Sequence, residues 1–323
     1  MGNKLPIIEL LLPFQHIQRD GLIVENMHDI PYQHTSKVGP EITACMAVIC
    51  HQIKKIFKAG PVGVQILAGA NTQALAVAKA AGGMAAKVQD GRHIQNGLQS
   101  AKIEKLSDFN ENWHLDSVFF YYFARLSQSC LCFTDLDFIR AEGFVFSHVA
   151  DEGIMNACAG DLLRFRRLID AENILVFSDI KKKHSAHAIT SDVNIVDTAK
   201  AAEFFLSDGV IVTGSHTGQP ADVKEFIDVQ HNVKIPVLIG SGVTNDNIAQ
   251  YKSANGLIVG SHFKQDGNWQ NELDTQRLSK FMQTKYLLIF EYINNLLTIE
   301  CNGFIMDLFF IAIMDTYLIS NSL

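Results

Sequence analysis

From Gly21 onward, the chain repeats one pattern: a short apolar run rich in β-branched residues, a polar or glycine-bearing loop, and a stretch with helical spacing. Strands that alternate with helices predict parallel strands joined by crossover connections. The apolar runs cover residues 21–26, 62–67, 137–142, 174–179, 209–214, 236–241 and 256–261. Seven runs favour an α/β fold of the TIM type, a (β/α)8 barrel with one strand unaccounted for. The competing architecture, an open doubly wound sheet, usually has a glycine-rich dinucleotide loop after its first strand, and none is present here.

Three regions interrupt this pattern. Residues 4–20 are too few for a strand and the crossover helix that should follow it, so the first βα unit is predicted to be incomplete. Residues 83–136 form a polar stretch and an aromatic cluster without clear periodicity. Residues 286–323 are apolar, but Asp307 and Asp315 interrupt them, and the apolar span is shorter than a membrane helix needs. We expect a packed or poorly ordered extra helix there, in preference to membrane association.

Charge and cysteine usage narrow the class of protein. Lys and Arg number 27 against 34 Asp and Glu, which gives a formal net charge of -7. This balance argues against a nucleic acid polymer as partner, although a local cationic pocket for a small anion remains open. The six cysteines are scattered without a metal or redox spacing, and we expect reduced thiols. We expect no secretory signal and a cytoplasmic location, with an organellar location left open.

Acids and cations follow several of the predicted strands. In a parallel barrel the active site lies at the carboxyl ends of the strands, and alternate side chains point inward. In residues 137–142 and 174–181, the polar residues that alternate with the outward apolar ones are predicted to point inward. The end of the first apolar run adds one further acidic or amide residue. The predicted catalytic residues are Glu25 (with Asn26 as its alternative), Arg140, Glu142, Asp179 and Lys181. Converging opposite charges can form a proton-transfer pair, or alternatively a structural ion-pair network.

The last three predicted strands end in small residues. Glycine allows close approach of backbone N–H groups, and barrel enzymes frequently bind phosphate above their final strands. The predicted phosphate-binding residues are Thr213, Gly214, Ser241, Gly242, Gly260 and Ser261. The alternative for residues 240–248 is a plain turn into a capped helix.

The densest polar segment, residues 179–187, contains two histidines. His184 and His187 stand three residues apart, a spacing that suits a divalent metal if the loop is helical. Histidines that are solvated or bonded to backbone are the more common alternative. No cofactor is predicted beyond this metal.

Six segments together resemble the BtpA family: residues 21–29 (GLIVENMHD), 63–67 (GVQIL), 137–153 (DFIRAEGFVFSHVADEG), 179–187 (DIKKKHSAH), 208–214 (DGVIVTG) and 239–244 (IGSGVT). The resemblance implies a phosphate-binding TIM-type barrel without a firmly assigned reaction. The family takes its name from a photosystem I biogenesis protein and has animal members, and the segments at 21–29 and 179–187 are similar to the animal branch.

The resemblance also divides the chain. It implies a single barrel domain at 1–283, interrupted by a non-family insertion at about 84–135 and followed by an apolar non-family tail at 284–323. Relative to the family, this chain lacks the opening strand and helix.

The expected function is binding or turnover of a small phosphorylated metabolite, a sugar phosphate or a nucleotide. Enzymes of the lyase, isomerase and hydrolase types use similar constellations on this fold, and one route is a Schiff base at Lys181. Two alternatives stay open. One is a non-enzymatic assembly or stability factor for a membrane complex, and the other is a non-functional isoform whose barrel does not close. Homo-oligomerisation is also left open.

Overall fold

The computed structural model describes residues 20–57, 60–81, 135–297 and 309–315. Its strands are β1 (Gly21–Glu25), β2 (Val62–Gln65), β3 (Phe138–Ala141), β4 (His148–Ala150), β5 (Gly153–Met155), β6 (Leu175–Ile180), β7 (Ser185–Ala186), β8 (Gly209–Val212), β9 (Val237–Ile239), β10 (Gly256–Val259) and β11 (Phe309–Asp315). Eight of them form a closed parallel barrel in the order β1-β2-β3-β6-β8-β9-β10-β11, and β11 pairs back to β1. The predicted TIM-type fold is confirmed.

Helices follow the barrel strands on the outside. The α-helices are α1 (Pro40–Ile56), α2 (Asn71–Ala80), α3 (Ala159–Leu168), α4 (Ile195–Phe204), α5 (Val223–Asn232) and α6 (Thr275–Leu297), and short 3-10 turns cover Thr35–Lys37, Ala188–Thr190, Ile248–Tyr251, Ser261–Phe263 and Gln265–Gly267. Helix α1 illustrates how the sequence specifies these helices. Proline stands at its start, where no N–H is needed, and Met46, Cys50 and Ile53 recur on one face and are buried against the strands.

An apolar layer fills the barrel below its mouth. Two phenylalanine rings dominate the layer, Phe138 and Phe177, whose centroids lie 5.6 Å apart in an edge-to-face arrangement. Glycines opposite them make the space: a Cβ at Gly63 would overlap the Phe138 ring, and one at Gly209 would lie 2.6 Å from the Phe177 ring. The other members of this layer are Ile23, Ile211, Leu238 and Ile258. The layer fills the described barrel interior below the mouth, so the polar residues of the strand ends lie above it.

The eighth strand comes from the C-terminal segment. Strand β11 pairs in parallel with β10 on one side and β1 on the other, and α6 is the crossover that connects β10 to it. The sequence predicts an extra helix in the segment after residue 286. The structure extends α6 to Leu297 and then forms this strand. Among the described helices, none combines the length and the apolar composition that crossing a membrane requires.

Two predictions concern residues at the edges of the described part. Residues 1–19, where the incomplete first unit is predicted, lie outside it, as does the predicted insertion at 84–135 apart from Asp135. On either side of the insertion, the Leu136 N–H donates to the Ala78 carbonyl at 2.8 Å, and Lys79 pairs with Asp135 at 3.1 Å. The proposed division into a barrel at 1–283 and a tail at 284–323 stays a prediction, although β11 lies within that tail.

A second, smaller sheet covers one side of the barrel mouth. The loops that follow β3 and β6 supply the antiparallel strands β4, β5 and β7, in the order β5-β4-β7. Because these loops leave the carboxyl ends of neighbouring barrel strands, the small sheet lies beside the residues predicted to be catalytic.

Candidate functional site

A buried guanidinium holds the centre of the barrel mouth. Arg140, on β3, donates to Asp179 through Nε at 3.1 Å and contacts Glu25 through Nη1 at 3.3 Å. The three side chains are 2–4% exposed. Gly240 leaves room for this arrangement, since a Cβ there would lie 3.5 Å from Nη2 of Arg140 and would overlap Ile211. The structure therefore brings three of the predicted residues together through one cation.

Glu142 lies beside this cation as a fully bonded carboxylate. Its Oε1 accepts from Gln65 Nε2 at 3.1 Å, and its Oε2 accepts from the Gly69 N–H at 3.0 Å and lies 3.1 Å from Lys182 Nζ. Burial alone would raise the pKa of Glu142, but Lys182 and Arg140, together with these hydrogen bonds, lower it. Glu142 therefore stays ionised near neutral pH and positions Lys182.

Asp179 and Lys183 have pKa values displaced toward each other. Burial raises the pKa of Asp179 against the opposing effect of Arg140. Burial, reinforced by Arg140, lowers the pKa of Lys183, and the charge of Asp179 acts in the opposite sense on this amine. A carboxyl group that holds its proton more tightly and an amine that holds it less tightly are suited to proton transfer near neutral pH.

Strand alternation does not extend to Lys181. Strand β6 ends at Ile180, and Lys181 has a φ of 47°, so the chain turns and the alternation stops. Its Nζ donates to the carbonyl of Thr190 at 3.0 Å. Lys181 still lines a small pocket beside Asp179 and Lys182, but its amine is engaged by backbone, and its catalytic role stays a prediction.

Four of the six predicted phosphate residues line one pocket above β9 and β10. They are Ser241, Gly242, Gly260 and Ser261, and Glu25 and Lys183 complete the inner wall. Gly242 has a φ of 63°, and a Cβ there would overlap the backbone of residues 219 and 220, so only glycine fits. We call this the anion pocket.

The other two predicted phosphate residues, Thr213 and Gly214, lie outside the anion pocket and line a neighbouring cleft. A Cβ at Gly214 would overlap the Gln219 carbonyl oxygen, which gives this glycine a packing role. Thr213 Oγ1 accepts from the Lys183 N–H at 3.3 Å and so orients the lysine loop. Both residues support the pocket from beside it.

Sequence reasoning missed two basic residues that line the anion pocket, His262 and Arg277. Arg277, on α6, donates through Nε to the His262 carbonyl at 2.8 Å, and its Nη2 lies 3.4 Å from His262 Nδ1. Because a guanidinium only donates, Nδ1 accepts and the ring proton is on Nε2. This nitrogen is buried and makes no hydrogen bond within the described part of the chain. Burial and Arg277 lower the pKa of His262, so the ring is a neutral N–H donor at neutral pH.

The two histidines of the predicted metal site have different partners. His184 faces His216 with ring centroids 5.6 Å apart and contacts Thr217 Oγ1 at 2.9 Å. His187 faces His148 at 5.3 Å and donates to the Lys182 carbonyl at 3.2 Å. Over the described ranges, no group of three or more His, Cys, Asp or Glu side chains is arranged to hold a metal ion. Metal binding here stays a sequence prediction without a donor cluster.

Comparison with known proteins settles the family. The sequence model of the BtpA family matches residues 13–104 and 126–286. The chain belongs to the BtpA family. The resemblance drawn from the motifs is thereby confirmed.

Relatives of this BtpA-family chain come from animals, archaea and cyanobacteria. "Uncharacterized protein F13E9.13, mitochondrial" of Caenorhabditis elegans is 44% identical over 268 residues, 82% of this chain and 77% of the relative. An uncharacterized protein of Archaeoglobus fulgidus is 29% identical over 77% of this chain and 76% of its own length. "Photosystem I biogenesis protein BtpA" of Synechocystis is 27% identical over 82% of this chain and 73% of the relative. The animal relative is consistent with the branch that the motifs indicate.

Among solved structures, thiamine phosphate pyrophosphorylase from Pyrococcus furiosus is similar at a TM-score of 0.36 and 11% identity, covering 82% of this chain and 95% of that one. A likeness at this level says nothing about activity.

Proposed function

We propose that this BtpA-family barrel binds a small phosphorylated metabolite, with the phosphate in the anion pocket. The observation that carries the proposal is the convergence of Lys183 and Arg277 with the glycine- and serine-bearing ends of β9 and β10 on one pocket. Phosphate sites of barrel enzymes frequently lie above the final strands, where backbone N–H groups and cations meet.

The charge distribution supports a local anion site. The chain as a whole carries a formal charge of -7, so long-range attraction cannot bring an anion to it. Around Arg140, each carboxylate is already bonded to a cation. Arg277 donates to the His262 carbonyl and has further N–H groups that can donate to a phosphate oxygen.

The same mouth suits turnover as well as binding. We propose that Asp179 and Lys183 exchange protons with the bound ligand, which isomerase- and lyase-type reactions both require. If a Schiff base forms, Lys183 is the candidate amine, because burial lowers its pKa. Hydrolysis remains the third reaction class for this constellation.

Binding is tested by titrating the full chain with inorganic phosphate, by calorimetry and by thermal unfolding. Lys183→Met removes a cation from the pocket and should weaken phosphate binding by about tenfold or more, since a charge-assisted hydrogen bond is lost. Lys200→Met removes the same charge from the exposed face of α4 and is the matched control. Equal affinity in both variants would contradict the assignment of Lys183, and failure of the wild-type chain to bind would contradict the proposal.

A second candidate function follows from the name of the Synechocystis relative and from one surface feature. We propose as the alternative that the chain acts as an assembly factor for a membrane complex. Several large apolar side chains are exposed near the amino end of the barrel, opposite the anion pocket: Leu168, Leu175, Phe204, Phe205 and Leu206. Phe204 and Phe205 contact each other, and neighbouring exposed apolar side chains are typical of surfaces that bind other proteins.

Complementation of cells that lack this protein separates the two functions. An assembly factor should tolerate Asp179→Asn and lose function when Phe204 and Leu206 are both replaced by serine. A metabolite-binding enzyme should give the reverse result.

For location, we propose the cytoplasm, with an organelle as the alternative suggested by the word "mitochondrial" in the name of the C. elegans relative. Fractionation of cells that express the full-length chain distinguishes the two.

A further inference from the structure

A second pocket lies across the Arg140 cation from the anion pocket. It is lined by His148, His187, Lys182 and Asp179, among others. Arg140 contacts both Glu25, which lines the anion pocket, and Asp179, which lines this one. We call it the His148 pocket. Arg140 therefore links a lining residue of one pocket to a lining residue of the other.

His148 has a buried nitrogen that makes no hydrogen bond to any residue that the structure describes. The residue is 5% exposed, and its Nε2 has no partner. The Phe146 backbone has a hydrogen-bond interaction with the ring that raises the pKa of His148, so its carbonyl is the acceptor. Because Nε2 is the unbonded nitrogen, that bond belongs to Nδ1, which carries the proton. Nε2 is then a lone pair that can only accept a hydrogen bond.

The surroundings of His148 keep the ring neutral. Burial, Lys182 and His187 lower the pKa of His148 to about 4, against the smaller opposing effects of Glu142 and the Phe146 carbonyl. At neutral pH the ring therefore accepts hydrogen bonds and does not carry charge. An anion gains nothing from such a group, whereas a hydroxyl does.

A structural role for His148 fits the geometry less well. Buried polar atoms in folded proteins are nearly always bonded, and an acceptor left unpaired in the interior is costly. His187 faces the ring at 5.3 Å between centroids, but its Nε2 is engaged by the Lys182 carbonyl. The pocket has room for roughly one water molecule or one ligand hydroxyl.

We propose that the His148 pocket binds a hydroxyl group of the same ligand whose phosphate occupies the anion pocket, with His148 Nε2 as the acceptor. The ligand class is then a phosphorylated sugar or polyol. This inference rests on the proposed function and adds His148 as a residue that binds the unphosphorylated end of the ligand.

The test compares two five-carbon phosphate esters, ribose 5-phosphate and n-pentyl phosphate, with inorganic phosphate as the reference. Binding to the full chain is measured by calorimetry for the wild type, His148→Phe and His148→Gln. Phenylalanine removes the acceptor and keeps the ring shape, whereas glutamine places an amide oxygen near the position of Nε2. Thermal unfolding verifies that each variant is folded.

We expect the wild type to prefer ribose 5-phosphate over n-pentyl phosphate by about tenfold, since a buried acceptor is satisfied by only one of them. His148→Phe should abolish that preference, His148→Gln should retain part of it, and inorganic phosphate should bind all three chains equally. If the wild type shows no preference, or if His148→Phe keeps it, the inference is overturned while phosphate binding stands. If inorganic phosphate itself fails to bind, the proposed function falls and the inference with it.

A second measurement is independent of variants. In the wild-type chain with ¹⁵N-labelled histidine, donation of a ligand hydroxyl to Nε2 of His148 should shift that nitrogen resonance with ribose 5-phosphate and not with n-pentyl phosphate. An unchanged resonance at saturating ribose 5-phosphate would overturn the inference.

Discussion

Arg140→Met should cost far more stability than an arginine loss at the surface. The side chains of Arg140 and Glu25 are each 4% exposed, and that of Asp179 is 2% exposed. Methionine keeps much of the volume but leaves two buried carboxylates without their cation. Removing one member of a buried ion pair costs about 3–5 kcal/mol. We expect a loss in this range at pH 7.

The loss should also depend on pH in a defined direction. Without Arg140, the pKa of Asp179, already raised by burial, rises further. The folded state then binds this proton more tightly than the unfolded state, so stability is lost as pH rises through the folded pKa and regained as pH falls. Each unit of pKa difference is worth about 1.4 kcal/mol. The deficit of Arg140→Met should therefore be smaller at pH 5 than at pH 7.

The assay is urea unfolding of the wild type and the variant at both pH values, with Arg166→Met as the control. Arg166 pairs with Asp208 at 2.7 Å, but the two side chains are 14% and 28% exposed, so its loss should cost about 1 kcal/mol. Adding Asp179→Asn to Arg140→Met should recover part of the stability. Equal losses for Arg140→Met and Arg166→Met at pH 7, or no recovery at pH 5, would refute the reasoning.

Two further predictions concern the pocket walls. Gly242→Ala should destabilise the chain by about 1–3 kcal/mol and abolish phosphate binding, because its Cβ would overlap the backbone of residues 219 and 220. The control is Gly218→Ala, whose Cβ has no described neighbour within 4 Å. It should cost less stability in the same thermal unfolding assay. The pKa of His148, lowered to about 4 from 6.5, should make the wild type lose stability as pH falls from about 6.5 to 4, by up to about 3 kcal/mol. His148→Phe should remove this share of the pH dependence, and an unchanged dependence would contradict the neutral ring.

The fold could be predicted because its pattern is local. Residues 209–214 form one of the apolar, β-branched runs that predict a strand, and the structure places β8 at Gly209–Val212. Strand β11 could not be predicted in the same way. Its segment is apolar without a distinctive period, and its pairing depends on the open edges of β1 and β10, which are distant in sequence. A strand that is specified by its neighbours carries little signal of its own.

The candidate site, like the fold, could be predicted only where the sequence signal is local. Arg140 and Asp179 could be placed because side chains alternate strictly within a strand. The lysines could not, because β6 ends at Ile180 and the positive φ of Lys181 turns the chain, so the alternation does not extend to Lys182 and Lys183. Arg277 was missed for another reason: it lies on a helix, and its approach to the pocket depends on how α6 packs against the turn at Ser261–Phe263.

Closure of the barrel by β11 bears directly on the anion pocket. Glu25 ends β1, and Gly260 follows β10, so two walls of the pocket belong to strands that do not pair with each other. Strand β11 lies between them and fixes their separation through its register with Glu25 on one side and Val259 on the other. Without it, β1 and β10 would present open edges and the pocket would have no fixed width. The hypothesis of a non-functional isoform assumes a barrel that does not close. Because the described strands form a closed ring, that hypothesis loses its structural premise, and the C-terminal segment becomes part of what builds the site.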